Sequence, residues 1–266
     1  MMNKLVLDFF GFSHMPFSKT FNPKNVFESK SFEEAKARLQ YGIGREDVML
    51  ITGPVGSGKS VVLRSLISSL DQNNFIPIYI RGTALKETDL YKSVLHGLNI
   101  SPPHFPGKAK RLYFSHIPGL TKTPLIIIDD AQEMADSSLA CIKTMTNFDF
   151  DSKSYVSFIL SGQPELRSRL RLTQFMALTQ RIRIFFHMKP MSLQETCQYI
   201  DHHVKAAGKT SSIFADSAKN DIHKWAGGIP RKVNVICYRS LVSAVMNDLS
   251  IIDSSNLLFD ELTDDI

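Results

Sequence analysis

Gly53-Pro54-Val55-Gly56-Ser57-Gly58-Lys59-Ser60 is the stretch on which the fold of this 266-residue chain turns. It fits G-x-x-x-x-G-K-[ST], the phosphate-binding loop. Asp47-Val48-Met49-Leu50-Ile51-Thr52 precedes it, an apolar run short enough for a buried strand. Val62, Leu63, Leu66, Ile67 and Leu70 follow at helical spacing. Strand, glycine turn and helix N-terminus, in that order, aim main-chain amides at an anion. The glycines let the backbone turn tightly and come close to it. The cradle is expected to run from Gly53 through Val61. Lys59 is expected to reach the outer phosphates, and the Ser60 hydroxyl to ligate Mg²⁺. The alternative is a chance Gly-rich turn before a helix.

Pro124-Leu125-Ile126-Ile127-Ile128-Asp129-Asp130 is the second anchor. Its apolar residues predict a buried strand, with acids at the C-terminal end, where open α/β sheets bind their ligands. Asp129 is placed to hold Mg²⁺, and Asp130 to orient and activate the attacking water. A solvated strand end would explain such a pair without function. Phe75 to Ile80, Tyr155 to Leu160 and Ile182 to Phe186 complete five expected strands. After the fourth, Ser161-Gly162-Gln163 either sets a polar group beside the γ-phosphate or is a plain turn. Helices are expected around Leu90 to Leu98 and over residues 165–180, with a short basic helix inside 101–123. The result is an α/β fold with a parallel five-stranded sheet flanked by helices.

The start of the chain is rich in Phe (Phe9, Phe10, Phe12, Phe17, Phe21 and Phe27) and broken by Gly11, Pro16 and Pro23. This predicts an irregular arm whose rings cover the core edge or wall an adenine pocket. Ser31-Phe32-Glu33-Glu34 has the form of a capping box. After Lys189-Pro190 three helical patterns follow, the first opened by a second capping box, Ser192-Leu193-Gln194-Glu195. The expected division is 1–188, a nucleotide-binding core with the aromatic arm, and 189–266, a small all-helical lid. His202 and His203 are expected at the surface of the lid. The net charge of +5 permits nucleic acid or an acidic membrane as partner without demonstrating either. Cys141, Cys197 and Cys237 have no disulfide or metal-ligand pattern. With no signal-peptide layout and no run of about 20 apolar residues, a soluble cytoplasmic protein without membrane insertion is expected.

The resemblance goes further. Phe9-Phe10-Gly11-Phe12 with Pro16-Phe17, the Gly-x-Gly-Lys-Ser loop, Ile-Asp-Asp-Ala-Gln at 128–132 and Ser-Gly-Gln-Pro-Glu-Leu at 161–166 are followed by Gln180-Arg181-Ile182 and Gly227-Gly228-Ile229-Pro230-Arg231. In that order they resemble the ExeA/GspA family of AAA+ ATPases over nearly the whole chain. The resemblance implies a P-loop NTPase (AAA+) core and lid that bind ATP and Mg²⁺ and hydrolyse ATP, slowly where Asp130 replaces the family's longer acid. It implies sensor 1 at Gln163 or, second, Ser161, an arginine finger at Arg181 and sensor 2 at Arg231. Arginine suits both roles, because a guanidinium makes bidentate bonds to phosphate. The family usually has Asp-Glu where this chain has Asp129-Asp130, one methylene shorter at the water-activating position.

Secretion proteins of the ExeA type continue into a membrane span and a peptidoglycan-binding domain, whereas this sequence runs from the lid into Asp260, Glu261, Asp264 and Asp265. The expectation therefore moves toward the transposition ATPases of the TniB/TnsC/IstB/MuB class, which this core also resembles. Those proteins imply a homo-oligomer, ring or filament, that binds double-stranded DNA and recruits a transposase. Lys86, Lys108, Lys110 and Arg111 are the candidate DNA contacts, with solvated basic loops as the alternative. Two further functions stay open: energising a secretion or cell-envelope assembly without DNA, and a non-hydrolysing nucleotide switch.

Overall fold

The computed structural model describes residues 2–18, 25–45, 47–149 and 152–259. Phe21, Pro23 and the tail acids Asp260, Glu261, Asp264 and Asp265 lie outside them. In chain order the elements begin with α1 (Met2–Phe10), α2 (Lys30–Gly42), β1 (Val48–Thr52), α3 (Lys59–Ser68), β2 (Phe75–Arg81), α4 (Glu87–Gly97) and α5 (Pro106–His116). They continue with β3 (Thr123–Asp129), α6 (Asp136–Met145), β4 (Ser157–Gly162), α7 (Pro164–Leu170), α8 (Met176–Thr179) and β5 (Ile182–His187). The last are α9 (Leu193–Ala206), α10 (Asp216–Ala226) and α11 (Pro230–Met246). The chain divides into two compact units, Phe32–Val55 with Lys59–Met188, and Met1–Ser31 with Gly56–Gly58 and Lys189–Ile266.

The first unit is a parallel sheet in the order β2-β3-β4-β1-β5. Helices cross over between its strands, so the central strands are covered on both faces and read as continuous apolar runs. Leu125 to Ile128, Met49, Ile51 and Phe158 to Leu160 are fully buried. β1 and β3 flank β4, with Thr52 beside Gly162 and Ile128 beside Leu160. The phosphate loop after β1 and the acid ending β3 therefore meet across the C-terminal end of β4.

Several local expectations change. β4 begins and ends two residues later than the expected Tyr155 to Leu160, so Ser161 and Gly162 belong to the strand. The helix expected over 165–180 is broken. α7 stops at Leu170, Leu172 is extended, and the Thr179 hydroxyl donates to the freed Leu170 carbonyl at 2.7 Å. α2 already includes Lys30, so Ser31 is not its cap; the Ser31 hydroxyl accepts from the Lys189 amide at 2.9 Å instead.

In the second unit α9, α10 and α11 pack around Ile200, Val204, Phe214, Ile222, Val233, Cys237 and Leu241. The start of the chain is not irregular: residues 2–10 are helical because Val6 and Phe10, four apart, fall on one buried stripe. Phe10, Phe12 and Phe17 belong to this same cluster, so the arm groups with the helices and not with the sheet. Nor are His202 and His203 surface residues. His203 packs against Phe17 and Tyr199, and His202 Nε2 lies 3.1 Å from the Asn25 carbonyl. The second capping box is present, with Glu195 N–H donating to Ser192 Oγ at 3.2 Å and Ser192 N–H to Glu195 Oε2 at 2.8 Å.

Candidate nucleotide-binding site

Gly56 and Gly58 have φ of +81° and +98°, the conformations that turn successive loop amides toward one point and that side chains resist. Lys59 is buried, and its ammonium donates to the Gly53 and Pro54 carbonyls at 2.7 and 3.0 Å. It is thereby held back over the loop that its own helix follows. Among the described residues Ser57 Oγ is a buried side-chain oxygen without a hydrogen-bond partner. A buried hydroxyl in that condition costs about 1–3 kcal/mol. It sits in the middle of the loop whose amides suit a phosphate, and a phosphate oxygen would satisfy it.

Asp129, 5% exposed, closes β3 and gathers the surrounding polar groups. Ser60 Oγ donates to its Oδ2 at 2.9 Å and Tyr79 Oη to the same oxygen at 3.1 Å. Ser161 Oγ donates to Oδ1 at 2.7 Å, and the Asp130 amide to Oδ1 at 3.1 Å. Burial pushes the Tyr79 phenol up, and the charge of Asp129 beside it adds to the effect. The hydroxyl and carboxylate expected to hold Mg²⁺ are thus in direct contact. Among the described residues no group of three or more His, Cys, Asp and Glu side chains forms a metal site. One serine and one aspartate suit a cation that takes its other ligands from phosphate and water.

Asp130 stands beside this centre in the left-handed region, φ 55° and ψ 41°, which a short polar side chain tolerates. Gln132 Nε2 donates to Asp130 Oδ1 at 3.3 Å. Gln163 caps α7 and is tied in by its main chain, its N–H donating to Gln132 Oε1 at 3.1 Å. Of the two sensor positions that the resemblance implies, Ser161 has its side chain on Asp129. Tyr79 and Gln132 carried no signal of their own: Tyr79 looks like an ordinary strand residue, and Gln132 enters only through its motif.

Arg181 is turned inward. With its side chain 11% exposed, it pairs with Asp47 at 3.3 Å and donates to Thr146 Oγ1 at 3.2 Å. In this conformation of the single chain the guanidinium expected to serve as an arginine finger is engaged within its own subunit. A partly buried arginine keeps its carboxylate, since losing it would strand the charge. Arg231 is exposed in the first turn of α11, where no acid offsets the helix dipole and where a cation is unfavourable. Within the unit that contains Gly56, the Arg231 amide donates to the Gly56 carbonyl at 3.3 Å, and a Cβ on Gly56 would come within 2.5 Å of the Arg231 Cβ. The basic candidates separate as well. Lys86 precedes α4, and Lys108, Lys110 and Arg111 lie on α5, all exposed. Lys110 is 3.9 Å from Glu87, and Lys108 lies over the ring of Phe105, which is 67% exposed.

A parallel sheet with a G-x-x-x-x-G-K-S loop after one strand, facing an aspartate at the end of another, is the architecture of a P-loop NTPase. More narrowly, residues 43–170 match the family model described as AAA domain. The chain is 34% identical over 244 residues to General secretion pathway protein A of Aeromonas hydrophila. That match covers 89% of this chain and 44% of the relative, so the chain spans under half of the relative's length. Cdc6p from Pyrobaculum aerophilum is similar in structure, with a TM-score of 0.72 at 18% identity over 89% of this chain and 67% of that one. The Aeropyrum pernix ORC1 protein in complex with DNA gives 0.64 at 12% identity, covering 87% and 64%. At those identities the structures speak for the fold.

Proposed function

We propose that this chain binds Mg-ATP on residues 53–61 and hydrolyses it slowly, using the nucleotide to govern its assembly. The observation that carries the proposal is the convergence of Ser60, Ser161 and Tyr79 on the carboxylate of Asp129, next to a loop with an unsatisfied buried hydroxyl. Ser60 and Asp129 would hold magnesium, which when bound offsets charge on the β- and γ-phosphate oxygens. Lys59 leaves its two loop carbonyls for the phosphates. Asp130 accepts the proton of the attacking water as general base. Ser161 answers to the γ-phosphate through Asp129, and Arg231, at the start of α11, is the lid's contact with it. Phosphoryl transfer asks for this kind of help, positioning and charge rather than covalent chemistry.

The similarity to General secretion pathway protein A supports work on a secretion or cell-envelope assembly. A second reading, DNA-bound target selection with recruitment of a transposase, is favoured by the exposed cations of α5. Arg181, paired with Asp47 in the free chain, would have to leave that carboxylate to reach a neighbouring subunit's nucleotide as an arginine finger. ATP turnover by the purified chain tests the hydrolytic core. Affinity capture from membranes, set beside binding to a labelled duplex, separates the two settings. Recovery of envelope proteins without DNA binding favours the first, and nucleotide-dependent duplex binding the second.

A further inference from the structure

Gln132 uses both ends of its amide. The Gln163 main-chain nitrogen can only donate, so the atom 3.1 Å from it must be the amide oxygen. The amide nitrogen therefore faces Asp130 Oδ1, at 3.3 Å. The orientation of the side chain is thus fixed by chemistry, and the group that it offers to Asp130 is a donor. The main chain of Gln132 is fixed too, since Arg169 Nη1 donates to its carbonyl at 3.0 Å and Nη2 to the Met134 carbonyl at 2.7 Å. Room for the amide comes from Gly162, where a Cβ would meet Gln132 Oε1 at 2.8 Å.

We propose that Gln132 is a positioning residue: its N–H holds one oxygen of Asp130, so that the other is presented to the attacking water. This rests on the hydrolytic reading above and names how its shortened acid is aimed. An aspartate in the left-handed region has fewer ways to reach the water than the longer glutamate, and a neutral donor on one oxygen removes the rotational freedom that remains. Through Gln163 the same amide ties Asp130 to the turn after β4, which also carries Ser161 on Asp129.

Gln132→Glu separates this role from a structural one. It keeps the size and the oxygen that accepts from Gln163 N–H but loses the donor to Asp130. Gln132→Leu loses both. Steady-state hydrolysis by the full chain is measured together with binding of Mg-ATPγS. The proposal expects kcat to fall about tenfold or more in both variants, with the Kd for Mg-ATPγS within about twofold of the parent. A Gln132→Glu variant with parental kcat would overturn it, leaving Gln132 as a cap for α7 alone. So would a defect confined to Kd. If Gln132→Leu fails to fold, Gln132→Glu decides alone. A parent chain that binds Mg-ATPγS yet never turns ATP over removes the hydrolytic reading and this inference together. Turnover by the parent with no loss in Gln132→Glu removes the inference only.

Discussion

Ser57 and Asp130 show what single residues contribute. The Ser57 hydroxyl is buried without a partner, a state that weakens the free protein and that a phosphate would relieve. Ser57→Ala is therefore expected to raise the melting temperature of the nucleotide-free protein by the equivalent of about 1 kcal/mol, while reducing the further rise on adding Mg-ATP. Thermal scans with and without nucleotide read both effects, and a variant less stable in both conditions would contradict the assignment. Asp130→Asn keeps the shape of the side chain and removes the base. Turnover should fall by roughly a hundredfold with little change in Mg-ATP affinity. Unchanged turnover in a phosphate-release assay would remove Asp130 from the mechanism. At this scale the placing of the loop serine Ser60 against Asp129 was legible, because the two motifs that carry them end strands of one parallel sheet. Tyr79 was not, because its contact with Asp129 depends on the register Arg81 to Asp129 between β2 and β3, which no local pattern encodes.

Among the elements, α5 carries the exposed cations nearest to a nucleic-acid reading. Lys108 and Arg111 are exposed, and no acid lies in the first turn of the helix. If the DNA reading holds, replacing both by Glu should weaken duplex binding about tenfold near ~0.1 M salt and flatten the salt dependence by about two counter-ions. Fluorescence anisotropy across a salt series measures this, and an unchanged slope would take α5 out of the interface. The strands were readable from their apolar runs, because covering a parallel sheet on both faces leaves little else that would fit. The helix expected over 165–180 misled because no Gly or Pro marks a stop inside it, while the chain leaves the helix after Leu170 and Thr179 closes the end of α7. α1 was missed for the opposite reason. Its partners lie more than two hundred residues away in α11, Tyr238 Oη donating to Asn3 Oδ1 at 2.8 Å.

At the scale of the whole molecule, the arm's aromatic rings complete the core of the helical unit, and His203 sits against them. Burial holds His203 down at about 4, with His202 and His14 adding to the shift. The unfolded chain takes up this proton near pH 6.5 and the folded one only near 4, so stability is intact above about pH 6.5 and is lost as the pH falls toward 4. The loss attributable to this group is about 2–3 kcal/mol. Melting curves at pH 7.5 and 4.5 should therefore converge in His203→Phe, and an equal acid loss in both proteins would assign it elsewhere. The change of pattern at Lys189-Pro190 is where the chain passes from the sheet unit to the helical unit. The grouping of the first thirty residues with the helices was not legible, since composition does not say which core an aromatic side chain joins. Everything functional depends on the loop gripping a triphosphate. Calorimetric titration of Mg-ATP into the parent and into Lys59→Ala tests that most directly: a saturable one-to-one isotherm is predicted for the parent and an affinity at least about tenfold weaker for the variant, whereas no heat from the parent, or equal binding by both, would contradict it.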